Sequence, residues 1–156
     1  MTLRHDPNPS TMSHLHPRSA VAVATAVGLG SISALHVLWG RGSTFPFQQR
    51  HDLNDHVVGQ QVNPSRAACN TVACLLAVAA VSVERAARGS SSGAKIAAAG
   101  CGAVLATRAG LGFSGRTHLV VPGSTSPSFR RNDRRIFAPV CALLATGAAY
   151  AAMGPT

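Results

Sequence analysis

The stretch His36-Val37-Leu38-Trp39-Gly40-Arg41-Gly42-Ser43-Thr44-Phe45-Pro46-Phe47-Gln48-Gln49-Arg50 marks where the first long apolar run of the chain ends. Up to Trp39 the pattern is helical and uncharged. Two glycines and a proline then turn it into a polar loop. Upstream, residues 19–35 carry no charge and the run continues to Gly40, which reaches the roughly 20 residues needed to cross about 30 Å of hydrocarbon. The quoted stretch therefore reads as the mouth of a membrane span, with Trp39 at the boundary. Arg18 precedes the run, and a small-x-small pattern at Ser31–Ser33 raises the question of a cleaved signal peptide. The later apolar segments would hold the chain in the membrane in any case, so an uncleaved first span is expected.

The rest of the chain repeats this layout. Residues 1–18 are polar, hold His5, His14 and His16 among prolines, and predict a disordered tail. Spans are expected over about 19–39, 67–84, 95–113 and 136–153, with long loops at 40–66 and 114–135. Asn63 or Ser65 is placed to cap the second span by accepting a hydrogen bond from its free amides, with Pro64 tolerated in the first turn. Gly-Ser-Ser-Ser-Gly at 89–93 makes a short connection between spans two and three. In span three, Gly100, Gly102, Gly110 and Gly112 are small enough to let another helix approach, although the strict G-x-x-x-G spacing is absent. Pro139 falls in the first turn of span four, where a missing amide costs little. The fold class is all-α, an integral membrane bundle of four transmembrane helices.

Composition agrees. Hydrophobic residues make up 46% of the 156, yet charged residues only 12%, about half the share of a soluble globular protein. The apolar residues are mostly small, and aromatics are 4%, which suits close helix packing in lipid. A net charge of +9 would point to nucleic acid in a soluble protein. Here the arginines flank the apolar runs, and no interleaved aromatics offer a stacking platform, so the bilayer is the expected partner and nucleic acid is not. Cys69, Cys74, Cys101 and Cys141 lie in apolar segments without C-x-x-C or zinc-type spacing and read as small buried hydrophobes. A redox pair would require two of them to meet across helices.

With four spans, parity places both long loops on one side of the membrane, together with His36, Trp39, Arg41, Arg108, Asp133, Arg134 and Arg135. This is the candidate polar face. Arg108, about one turn inside span three, has two readings: a stem that snorkels to the headgroups, or an inward guanidinium paired with Asp133. An inward Arg108 together with His36 would suit an anionic headgroup or a quinone-like carbonyl. In the first loop, His51, Asp52, Asp55 and His56 have the i, i+4 spacing that two metal ligands can share if the segment is helical. A metal site needs further ligands, which the chain scarcely offers, so no metal or other cofactor is expected. Arginine and lysine counts favour the long loops on the cytoplasmic side of the cell membrane.

Four blocks carry a resemblance: H-V-L-W-G-R-G-S-T-F-P-F at 36–47, N-P-S-R-A-A-C at 63–69, R-A-G-L-G-F at 108–113 and D-R-R-I-F-A-P-V-C at 133–141. Over roughly residues 18–153 the chain resembles the bacterial membrane proteins grouped as domain of unknown function 3995. The resemblance implies a four-span membrane protein and brings no activity with it.

Three functional readings follow from the residues. The first is a structural or accessory, or ligand-binding, helix bundle. The second is an oligomeric transporter or channel-like protein, because four short spans enclose no pathway alone. The third, a membrane redox or lipid-modifying enzyme, lacks an assignable catalytic set, paired span histidines, a C-x-x-C and a phosphate loop. Partners expected are the lipid bilayer and either further copies of the chain or a larger membrane complex.

Overall fold

A computed structural model describes residues 17–60, 64–124 and 126–153, and among them every regular element is helical. The polar tail expected over 1–18 lies outside these residues except for Pro17 and Arg18, which open the first helix. That helix, α1 (Pro17–Gly40), is followed by the short α2 (Arg50–Leu53), which widens into a π-helical turn (Asn54–Val58). Then come α3 (Arg66–Ala87), α4 (Ser92–Ser114), a 3-10 turn (Thr117–Leu119), α5 (Pro127–Asn132), a second π-helical turn (Asp133–Phe137) and α6 (Ala138–Ala152). Four helices are long and apolar enough to cross a membrane: α1, α3, α4 and the continuous 26-residue run Pro127–Ala152.

Local chemistry sets the ends. Ser65 and Ser91 cap α3 and α4, accepting from the amides of Ala68 and Ala94 at 3.1 Å each. At the other end of α4, Gly115 takes φ +71, and the Arg116 amide donates back to the Leu111 carbonyl at 2.8 Å, closing the helix as only a residue free of a Cβ does cheaply.

α1 packs chiefly on α3 and α4 on α6, while α3 meets α4 and α1 meets α6, so α1 and α4 occupy diagonal corners of the bundle. The centre is made of small residues: Ala22, Ala79, Ala86, Ala94, Ala98, Ala148 and Ala151 surround Leu29, Val83 and Leu144. Large apolar side chains point outward instead, with Leu75 65% and Leu143 74% exposed. That inversion of the water-soluble pattern fits a solvent of lipid chains, where exposing leucine costs nothing and close backbone approach supplies the packing energy. Two glycines show how close the approach is. A Cβ on Gly147 would lie 2.0 Å from Thr25 Oγ1, at the α1–α6 contact, and one on Gly102 would lie 3.3 Å from the Ala145 carbonyl oxygen, at the α4–α6 contact. Gly100 and Gly110 have nothing within 4 Å.

The fourth span begins earlier than the sequence indicated. The loop expected over 114–135 ends at Ser126, which caps α5, and Pro139 sits inside the helix instead of in its first turn. A proline there removes one amide and crowds the carbonyl four residues back. The π-helical turn Asp133–Phe137, whose exit amide on Ala138 donates to the Asp133 carbonyl, widens the helix just before the ring and absorbs the misfit.

A methyl group at position 147 has to separate α1 from α6, whereas one at position 100 meets open space. G147A is expected to lose about 1–3 kcal/mol of stability and G100A to stay within about 0.5 kcal/mol of the parent. Denaturant titration of detergent-solubilised protein measures both.

Candidate functional site

Both long connections, 41–65 and 115–126, emerge at the same end of the bundle, and the residues there tie one loop to the other. Asp133 lies deepest, 2% exposed on the inward side of the second π-helical turn. Its Oδ1 accepts from Arg108 Nη2 of α4 at 2.6 Å, and its Oδ2 accepts from the Thr117 hydroxyl of the 3-10 turn. One carboxylate therefore joins span three, the turn that follows it, and span four. The π-helical turn is what permits this. Five residues apart on an α-helix, Asp133 and Ala138 would point about 140° away from each other. Here both touch Gly112 of α4, where a Cβ would lie 2.7 Å from the Ala138 Cβ and 3.2 Å from Asp133 Oδ1. Arg108 is the inward, paired cation of the two sequence readings; its side chain is 25% exposed.

His36 does not join it. α1 and α4 are at diagonal corners, and His36 Nδ1 lies 2.8 Å from the Ile32 carbonyl oxygen of its own helix, which makes Nδ1 the donor nitrogen. The His36 ring meets the Trp39 ring edge-on at 5.1 Å between centroids. Trp39 in turn folds the loop back, donating from Nε1 to the Phe45 carbonyl at 2.7 Å, and Arg50 Nη2 donates to the Gly42 carbonyl at 2.6 Å. Arg41, Arg134 and Arg135 of the candidate face are exposed, so the seven residues share one end of the bundle but do not converge on one point.

The segment 50–58 is helical, and this gives the His51–His56 cluster a different use from the one its spacing suggested. His56 Nδ1 sits 3.0 Å from the Asp52 carbonyl oxygen, and its ring stacks on Phe47 at 5.5 Å. His51 pairs with its neighbour Asp52 at 3.2 Å. Asp55 lies with Oδ2 3.9 Å from His56 Nδ1, and its Oδ1 accepts from the Ser126 hydroxyl at the start of α5. Among the described residues no three His, Cys, Asp or Glu side chains gather in a way that could hold a metal ion, and the four cysteines are free, with Cys69 buried and Cys74 exposed.

Several cross-braces fall on residues that spacing alone did not single out. Gln60 donates to the Pro122 carbonyl, and Asn132 Nδ2 to the His56 carbonyl at 3.2 Å. Phe129, 3% exposed, lies over Gly59, where a Cβ would meet the ring at 2.7 Å. A readable signal existed for Phe129: with Asp133 and Phe137 it recurs every four residues, and arginines fill four of the six intervening positions, the signature of one helix face. Thr117 and Gln60 had no such signal. Between the two loops lies a polar recess of about 470 Å³, walled by Asn54, Asp55, Gln60 and Ser126 among others.

These features define a four-span membrane-helix bundle closed at one end by a polar platform of two hydrogen-bonded loops. The sequence model of the family described as Protein of unknown function (DUF3995) matches residues 29–148, and the chain belongs to that family. No curated protein and no solved structure shows significant similarity to the chain.

Two measurements probe the braces. D133L leaves Arg108, whose side chain is 25% exposed, as an uncompensated charge and is expected to cost about 3–5 kcal/mol, while the double substitution R108M/D133L, which removes both charges, is expected to fall closer to the parent than R108M or D133L alone; unfolding in detergent reads the cycle. Hydrogen bonds from Ser126, and then Ser128, hold the Asp55 carboxyl below its ordinary 3.8. A depressed carboxylate pKa contributes stability that is full above 3.8 and fades as pH falls through the lowered folded value. The unfolding midpoint followed by fluorescence of the single tryptophan, Trp39, should therefore drop as pH falls below 3.8, and drop less in D55N.

Proposed function

We propose that this protein is a non-catalytic accessory or ligand-binding bundle that displays a rigid polar platform on one side of the cell membrane. The carrying observation is the cross-bracing itself. Of the polar groups best placed for chemistry, Asp133, Arg108 and Thr117 are engaged with one another between spans three and four, and Asp55, Ser126 and Asn132 are engaged across the two loops. A constellation spent on holding loops in register suits a surface that is recognised better than one that turns over substrate. The recess beside Asp55 offers such a surface a polar ligand position. The arginine distribution supports a cytoplasmic platform.

The transporter reading draws less support. Arg108, the charge embedded in a span, is matched by Asp133, so it lends no free charge to a conduction path. Shallow apolar grooves on both flanks of α6, one towards α1 through Val21 and Tyr150 and one towards α4 through Gly102 and Ala106, are where a second copy would pack.

Purification of the tagged full chain from native membranes in mild detergent distinguishes these roles. A fixed larger complex, lost when the loop brace is cut by S126A/N132A while the bundle still folds, is the expected result. A pure homo-oligomer with no other component would favour the transporter reading instead.

A further inference from the structure

The 130–135 segment carries four arginines in two like-charged pairs one helical turn apart, Arg130 with Arg134 and Arg131 with Arg135, and all four are exposed. Like charges at this spacing repel. An acid among them would relieve the repulsion, and the segment has one, but Asp133 is turned inward onto Arg108 and Thr117. Among the described residues none of the four arginine side chains forms an ion pair or hydrogen bond. The other end of the bundle differs, since there Arg88 is paired with Glu84 on its own helix.

The surroundings state what kind of anion fits. Gly115 keeps the end of α4 bare: a Cβ there would lie 2.7 Å from Arg134 Nη2, so the arginine is laid against the bundle. Exposed apolar side chains follow the ladder in the chain and flank Gly115, on which Arg134 rests, with Ile136 53%, Phe113 51% and Leu119 64% exposed. A soluble polyanion such as nucleic acid would leave these in water. A phospholipid covers both, because its phosphate lies at the depth where the hydrocarbon starts, and planar guanidinium groups bind phosphate oxygens in bidentate fashion.

We propose that Arg130, Arg131, Arg134 and Arg135 form a seat for anionic phospholipid headgroups in the leaflet facing the two long loops. The seat is separate from the recess beside Asp55 and stands whether or not the platform also recruits a protein. It turns a charge that topology alone would scatter among the loops into one ordered ladder, made possible by the inward ion pair.

The test reconstitutes the full chain in nanodiscs of phosphatidylcholine with a minor share of phosphatidylglycerol, and measures by native mass spectrometry the lipid that stays bound after transfer to detergent. The parent should retain phosphatidylglycerol above its share of the disc. R131Q/R135Q should lower that enrichment about fivefold for each arginine removed, and R130Q/R131Q/R134Q/R135Q should abolish it. R85Q/R88Q, matched in charge at the opposite end, should leave it unchanged. No enrichment in the parent, equal losses in the two double variants, or co-purified nucleic acid with unaltered lipid would each overturn the seat. Should the fourfold variant fail to assemble, the matched doubles decide. Loss of a protein complex in S126A/N132A bears on the platform alone, so the two proposals fail separately.

Discussion

The carboxylate of Asp133 is the constraint around which the platform end of the bundle is arranged. A negative charge that is 2% exposed survives only if its lone pairs are met, and Arg108 and Thr117 meet them from two different elements. The demands spread from there. Gly112 has to lack a side chain so that α4 can come close enough, and the helix of span four has to widen so that Asp133 and Ala138 face the same neighbour. Arg108 is drawn inward and away from lipid. Pro139 makes the widening easy, since a proline ring already disfavours a regular turn at that point.

From this pair outward, the polar chemistry of the platform is reciprocal. The first loop supplies the Asp55 carboxylate, the Gln60 amide and the glycine surface at Gly59; the second supplies Ser126, the Pro122 carbonyl and the Phe129 ring. Each loop is irregular by itself, and each supplies hydrogen-bond partners to backbone or side-chain groups of the other. Below the platform the logic reverses. Alanines and glycines meet inside, Leu75 and Leu143 point out, and the helices are held by closeness of approach, with no large apolar core for water to enforce. The molecule thus joins a bundle stabilised by shape to a cap stabilised by hydrogen bonds and charge.

Much of this was legible in the chain. Uncharged runs of membrane length, arginines between them and parity of the spans determine four helices, their alternation and the side that holds both long loops. Those are properties of composition and period, and lipid imposes them on any such sequence. The Arg108–Asp133 pairing was one of two open readings, because a sequence tells how far an arginine lies from the end of a span but not which way its stem turns. The helical start of span four was missed for a related reason: Arg130, Arg131, Arg134 and Arg135 read as a loop by polarity, although Phe129, Asp133 and Phe137 recur at helical spacing, the first two of them buried.

Only the tertiary structure decided which residues meet. His36 and Arg108 both sit near the mouth of a span, yet diagonal placement of α1 and α4 keeps them apart and leaves His36 to its own helix. The stretch 36–50 closes on itself through Trp39 and Arg50, while the neighbouring 51–60 segment reaches across to 122–132. Spacing along a chain fixes the period and face of each helix. Contacts between loops more than sixty residues apart depend on how four helices pack, and that packing is set by where glycine and alanine allow backbones to touch.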